Sequence, residues 1–501
     1  VAALSTDQVA AFSTSQVAAL TTSEAATLSA AQAKALTTAQ VQQLSTSNIE
    51  ALNLNSVKAM TSTQLQALST TQLNALQAED FANLNEAQIT GLTTDQVQAL
   101  TTSAVTSLTA DQVSKFTTAQ VAAVTAANVG ALNSDQVAAL TTAQVGTLDT
   151  AQVQAITTAA VAAMTNAQVG AMSTTQVAAL TTGQMAALTA AEVKALSTSQ
   201  VQALGTAQIN ALSNANVAAL TTTQVASLTA GQVTGLSTAA AASLVTAQVQ
   251  ALSSTQVQAI STANVAAMSS TQLSALTTGQ VSALTTAQVV ALETADVAAL
   301  STAQVAALTT DQVKVLESAD VVAMSTGQVA ALSTAQVQAL TDGNVTALST
   351  SQVQAMSTAQ VNALSTAQVV AMTTSQVASL TAAQVKGMST DQVKALENAD
   401  VQVLNATQIK ALTTAQVQAL ETTDVAGLNT TQLAALTADQ VSAFTTAQVV
   451  SLTTSEVSNL SYDQVKAFTT TQLAAVETAD IAVLNSDQVS SLSATQVQAF
   501  T

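Results

Sequence analysis

The 501 residues carry 28 acidic side chains against nine basic ones, giving a formal net charge of −19, yet charged residues make up only 7% of the chain. There is no proline, cysteine, histidine, tryptophan or arginine, and there are only six phenylalanines and one tyrosine. This composition excludes a disulfide framework and thiolate metal sites, and it lacks the basic stripes and stacking rings that nucleic acid needs; no apolar run approaches the ~18 residues of a membrane span.

From Val1 onward the chain reads as sixty-two complete octads, V-x-A-L-[ST]-[ST]-x-Q, with a five-residue remainder ending at Thr501. Numbering Val1 as position 1, every position 1 to Val497 is apolar, as is every position 4 from Leu4 to Phe500, with no insertion or deletion. Such constancy predicts that each octad occupies an equivalent place in a stack. A strand is excluded because positions 1 and 4 have opposite parity. Thirteen glycines are too few to turn the corners of a β-solenoid. A continuous helix fails because its apolar stripe would rotate by about 80° per octad.

The octad instead predicts one helix per repeat, restarted at position 5. In the octads around Ser301 and Thr309, the hydroxyl residue is followed three residues later by Gln304 and Gln312, which is a capping box. Position 4 then falls at N′ and the next position 1 at N4, so Leu300 and Val305 form a hydrophobic staple. A two-turn helix is unstable alone, and a cap contributes only about 1 kcal/mol. The apolar column must therefore be buried against other octads, and a small Ala at position 3 permits close approach. The predicted fold is an all-α solenoid, a superhelix of short two-turn helices forming one continuous unit over residues 1–501. The chain starts in mid-pattern without methionine, and it is expected to be a processed product or a segment of a longer chain or filament.

Taken along the chain, position 8 departs from Gln at Glu24, Asn48, Ser56, Asp80, Ala104, Asn128, Ala160, Glu192, Asn216, Ala240, Asn264, Asp296, Asp320, Asn344, Asp400, Asp424, Glu456 and Asp480. Apart from Ser56, the spacings are 24 or 32 residues with one gap of 56, roughly 3.35 octads per step. That fraction is what a screw with about 3.3 repeats per superhelical turn produces when one side is marked. Duplication of three- and four-octad blocks leaves similar marks, and the spacing alone does not choose between them.

Several of these octads are doubly acidic: Glu293 with Asp296, Glu317 with Asp320, Glu397 with Asp400, Glu421 with Asp424, and Glu477 with Asp480, with Glu79 and Asp80 a looser example. On the screw, the first two pairs lie one turn apart, as do the next two. Glu293, Asp296, Glu317, Asp320, Glu397, Asp400, Glu421 and Asp424 are thus candidate metal ligands for Ca²⁺, which takes six to eight oxygens. The competing and plainer reading is that acids favour helix N-termini. No other cofactor is expected, and no catalytic residue. Paired carboxylates can hydrolyse glycosides, but a uniform rod offers no cleft for a sugar. The lysines, such as Lys194 and Lys394, read as solvated surface, and Phe12, Phe116, Phe444, Phe468 and Phe500 as core.

The LTTAQV and LSTDQV octads resemble the short-period repeat regions of very large bacterial secreted and cell-surface proteins, loosely grouped as adhesin-like. The resemblance implies an extracellular fibre, sheath or stalk and carries over no site residues. A non-enzymatic structural protein at the cell surface is the expectation. The alternative is a binding surface for a regular target (ice, glycan or mineral) through the Ser/Thr rows or the acidic ladder. The expected partner is the chain itself, head to tail or laterally, because the first octad, VAALSTDQ, and the last, VSSLSATQ, look like those between them.

Overall fold

The computed structural model describes residues 1–500, and among them every element is α-helical: sixty-two helices of four to six residues, one in each octad. The octad Ser301–Leu308 shows how. Ser301 is extended (φ −69°, ψ 159°) and its hydroxyl accepts the Gln304 N–H at 3.2 Å. The helix runs Thr302–Ala307, and Leu308 is again extended (φ −58°, ψ 139°). Two successive extended residues, the apolar position 4 and the capping position 5, turn the corner. No described residue has a positive φ, so the corners need no glycine. Because both corner residues leave the helix, each helix makes roughly one to one and a half turns, shorter than the two turns that the sequence predicts.

Three positions of most octads are buried. In this one they are Leu308 at position 4, the preceding Gln304 at position 8, and Val305 at position 1, which is 0% exposed. The staple pair Leu300 and Val305 are both buried, as are Phe116, Phe444 and Phe468, whereas Phe12 and Phe500 are only half-buried. Burying two apolar side chains per octad supplies about 3–6 kcal/mol of gross stabilisation, which offsets the nucleation cost that leaves such helices unstable singly.

The chain divides into two compact units, Val1–Ala259 and Ile260–Thr501. Within each, every helix packs on the third helix before it and the third after it. Thr302–Ala307, for example, lies on Thr326–Ala331, and that on Thr350–Ala355. This is the packing that about 3.3 repeats per turn demands, since the third neighbour comes closest to a full turn. Position 3 lies against position 6 of the preceding turn and is small in most octads, although Gln43, Lys115 and Val403 also occur there. A Cβ on Gly91 would come within 2.6 Å of the Ser62 Cβ.

Candidate functional site

The most heavily used polar group in the fold is the glutamine at position 8. Oε1 of Gln336 accepts the N–H of its own N-cap residue, Ser333, at 2.7 Å. Its Nε2 donates to the carbonyls of Leu308 at 2.7 Å, Val305 at 3.0 Å and Ala306 at 3.4 Å. One buried amide thus serves the start of its own helix and the C-terminal carbonyls of a helix in the preceding turn, a region where a helix leaves carbonyls without intrahelical partners, although the Val305 carbonyl also accepts the Leu308 N–H at 3.2 Å. The pattern recurs throughout, with Gln64, Gln184, Gln360 and Gln440 as further examples. Sequence reasoning found the capping half of this role and missed the link between turns. The signal was present: a cap exposed to solvent does not need an amide as long as glutamine at so many positions.

Most of the polar departures from Gln keep part of this double role, whereas Ala104, Ala160 and Ala240 keep neither part. Asn48, Asn128, Asn216 and Asn344 donate to the carbonyl 28 residues back at 3.0, 2.7, 2.6 and 3.1 Å. Asn128 and Asn344 also accept a hydroxyl, from Thr102 and Ser318. Aspartate does the reverse. Asp80, Asp296, Asp320 and Asp424 accept the N-cap N–H at 2.9, 2.9, 3.1 and 2.9 Å, and none has a donor for the preceding turn. All of these residues are buried, as are most of the glutamines at position 8.

The acidic octads share a sequence pattern. Each of the six Asp residues at position 8 is preceded at position 5 by Gln or Glu: Gln77, Glu293, Glu317, Glu397, Glu421 and Glu477. At no other octad does position 5 hold either residue. At Gln77 the Nε2 reaches back to the Glu50 carbonyl at 3.0 Å while Asp80 caps. The five Glu have no N–H with which to do the same and stand exposed.

Of the eight candidate calcium ligands, Asp296, Asp320, Asp400 and Asp424 are buried, each with one carboxyl oxygen on its own N-cap N–H. Glu293, Glu317, Glu397 and Glu421 stand exposed at the N-cap positions. Asp296 spends its second oxygen on the Ser270 hydroxyl at 2.7 Å. The structure puts each pair in one helix start but does not bring the two pairs of adjacent turns together, and no three Asp or Glu side chains among the described residues are grouped to hold a metal.

Burial raises the carboxyls of Asp80, Asp400 and Asp424 above the ordinary aspartate value, against the lowering effect of their backbone hydrogen bonds; the neighbouring Glu79, Glu397 and Glu421 add to the rise. Asp480 is likewise raised by burial and then by Glu477.

The outer surface is sparsely charged, with acids outnumbering lysines. Positions 2, 6 and 7 are mostly exposed Ala, Gln, Thr and Ser. The only ion pair among the described residues joins Lys115 to Glu86 at 3.6 Å, both well exposed. In the first unit an apolar cavity lined by Val113, Phe116, Val121, Val129 and Leu132 has room for about 20 Å³. It could hold one water by size, but it offers no polar partner, so it is a dry packing defect. No helix is long and apolar enough to cross a membrane among the described residues.

A family profile described as the ALTTAQ repeat matches the chain in ten segments that run over residues 113–214, 256–286 and 289–454, more than half of its length. No curated protein matches it.

Proposed function

The chain belongs to the ALTTAQ repeat family, and from that premise we propose that it is a non-enzymatic structural protein forming a fibre, sheath or stalk outside the cell. The observation that carries the reading is the Gln ladder. Every turn is fastened to the one before by the same buried amide, as at Gln328, Gln336 and Gln352, so length is added without new design. The polar groups that enzymes converge in a cleft are here spent on the fold itself. The same inter-turn surface recurs at each octad, so the partner it fits is a second copy arranged head to tail, and a contact of that kind that does not close builds open filaments.

Immunolabelling of intact producing cells under the electron microscope tests the reading. Label on extended surface material is expected; label confined to the cell interior overturns it. One observation favours a second reading, a surface that binds a regular target such as ice or glycan. Thr302, Thr326 and Thr350 are exposed on three helices stacked in sequence. An ice-recrystallisation assay and a glycan array at micromolar protein test it, and no effect in either removes it.

A further inference from the structure

Glu192 stands where a position-8 glutamine otherwise stands, and it is 1% exposed. Its Oε2 accepts the Thr189 N–H at 2.6 Å, as a glutamine Oε1 does. Its Oε1 has no hydrogen-bond partner, the only buried side-chain N or O atom among the described residues so placed. In the octads on either side the corresponding atom is an amide nitrogen among carbonyls. Gln184 Nε2 donates to the Val153 and Ile156 carbonyls at 2.8 and 2.7 Å. Gln200 Nε2 donates to those of Val169 and Met172 at 3.3 and 2.6 Å. By the same register Glu192 Oε1 faces the carbonyls of Val161 and Met164.

An ionised oxygen there meets only other oxygens. The helices packed on that of Glu192, Asn166–Ala171 and Asn214–Ala219, contain no charged residue, and Lys194 on its own helix is exposed. A buried charge without a counter-ion is among the most costly features a fold can hold, and the usual outcome is that the group is neutralised or binds a cation. The register decides between these. The flanking glutamines hold their amide nitrogens 2.7 and 2.6 Å from the equivalent carbonyls, and an oxygen held at such a spacing is at O–H···O distance. A calcium ion, by contrast, needs six to eight oxygens at 2.3–2.6 Å each, more than this carboxyl and its facing carbonyls offer.

We propose that Glu192 is held as the neutral acid and donates its carboxyl proton to the Met164 carbonyl, doing with a proton what glutamine does with an amide. The step is a simple loss: when base removes the proton, the carboxylate faces the carbonyls and this one link between turns opens, while the glutamine links around it persist. Glu192 is therefore a built-in point of pH-dependent loosening in the first unit.

Hydrogen exchange of the full chain, read by mass spectrometry over a range of pH and corrected for intrinsic rates, tests this on peptides covering residues 158–164 and 189–195. Wild-type protection there should fall by about tenfold from mildly acidic to alkaline pH, and Glu192→Gln should hold it constant. The infrared difference between the two proteins should contain a neutral carboxylic acid band that disappears over the same range. Gln200→Glu should create a second such site around residues 169–172. The proposal is overturned if protection in the wild type and in Glu192→Gln follows the same pH course, if the acid band is missing when the fold is intact, or if protection at fixed pH depends on added Na⁺, K⁺ or Ca²⁺, which would put a cation in the proton's place.

Discussion

At the level of single residues, the fold rests on polar groups that serve two partners at once. Gln312 accepts the Thr309 N–H at 2.7 Å and donates to the Leu284 and Val281 carbonyls at 2.7 and 2.9 Å. Thr309→Ala removes one cap and should cost about 1 kcal/mol. Gln312→Ala strands buried groups in two turns and should cost about 2–4 kcal/mol, whereas exposed Ala303→Ser should change little. Hydrogen exchange around each site ranks the three, and equal losses for Gln312→Ala and Thr309→Ala would refute the inter-turn role. Asp400 gives the pH dependence. Its carboxyl sits above the ordinary aspartate value chiefly because it is buried, so the folded state binds the proton more tightly than the unfolded. Its stabilisation is therefore complete at low pH and is lost as pH rises from the ordinary value through the raised one. Asp400→Asn should remove that dependence in residues 397–425 and, like Asn344, donate to the carbonyl 28 residues back. A variant whose exchange keeps the wild-type slope between pH 4 and 7 would contradict this.

Between helices, losses in one turn are made good from another, and this is where sequence reading reaches its limit. The register, the capping box and the burial of positions 1 and 4 are legible because they are local and repeat every eight residues. What Gln does to the preceding turn is not, since its acceptors lie 28 to 31 residues away and are main-chain carbonyls, which leave no mark in sequence. Nor is the compensation at Ala240, which has no amide to cap its helix. There the Ser237 N–H is taken at 2.8 Å by Oδ1 of Asn210, from the turn before. Asn74 does the same for Thr101, ahead of Ala104, at 3.2 Å. Asn362 occupies the equivalent place but is spared that duty, because Gln392 already accepts the Ser389 N–H. Asn210→Ala should therefore cost about 1–2 kcal/mol more than Asn362→Ala, and adding Ala240→Gln should restore the loss. Exchange of the Ser237 amide reports both effects; equal penalties at the two asparagines would show that the cap is supplied elsewhere. The Glu-and-Asp octads were visible as acidic pairs and read as metal candidates for the same reason, because the burial of each Asp beside an exposed Glu only becomes apparent once the preceding turn is in place.

Across the whole molecule the decisive property is that every octad is equivalent, so stability is a sum of repeat terms and nearest-neighbour interfaces. Within the second unit each helix finds its partner three repeats away, whichever repeat it is. Removing one whole octad, Val329–Gln336, leaves each remaining helix with a third neighbour and each corner with a position-8 residue to fasten it. The protein should lose little more than that octad's own increment. Removing only Val329–Leu332 deletes two buried side chains, which are 1% and 5% exposed, and brings Gln328 against Ser333 with no apolar residue between two caps. Burial alone puts that loss at about 3–6 kcal/mol, and the helices on either side then lack a surface to stack on. The shorter deletion should thus be the more damaging one, the opposite of what a loop would show. Thermal unfolding followed by circular dichroism, with exchange to locate the damage, compares the two. If the eight-residue deletion proves as disruptive as the four-residue one, the octads are not interchangeable, and position-specific contacts rather than a repeating screw hold the stack together.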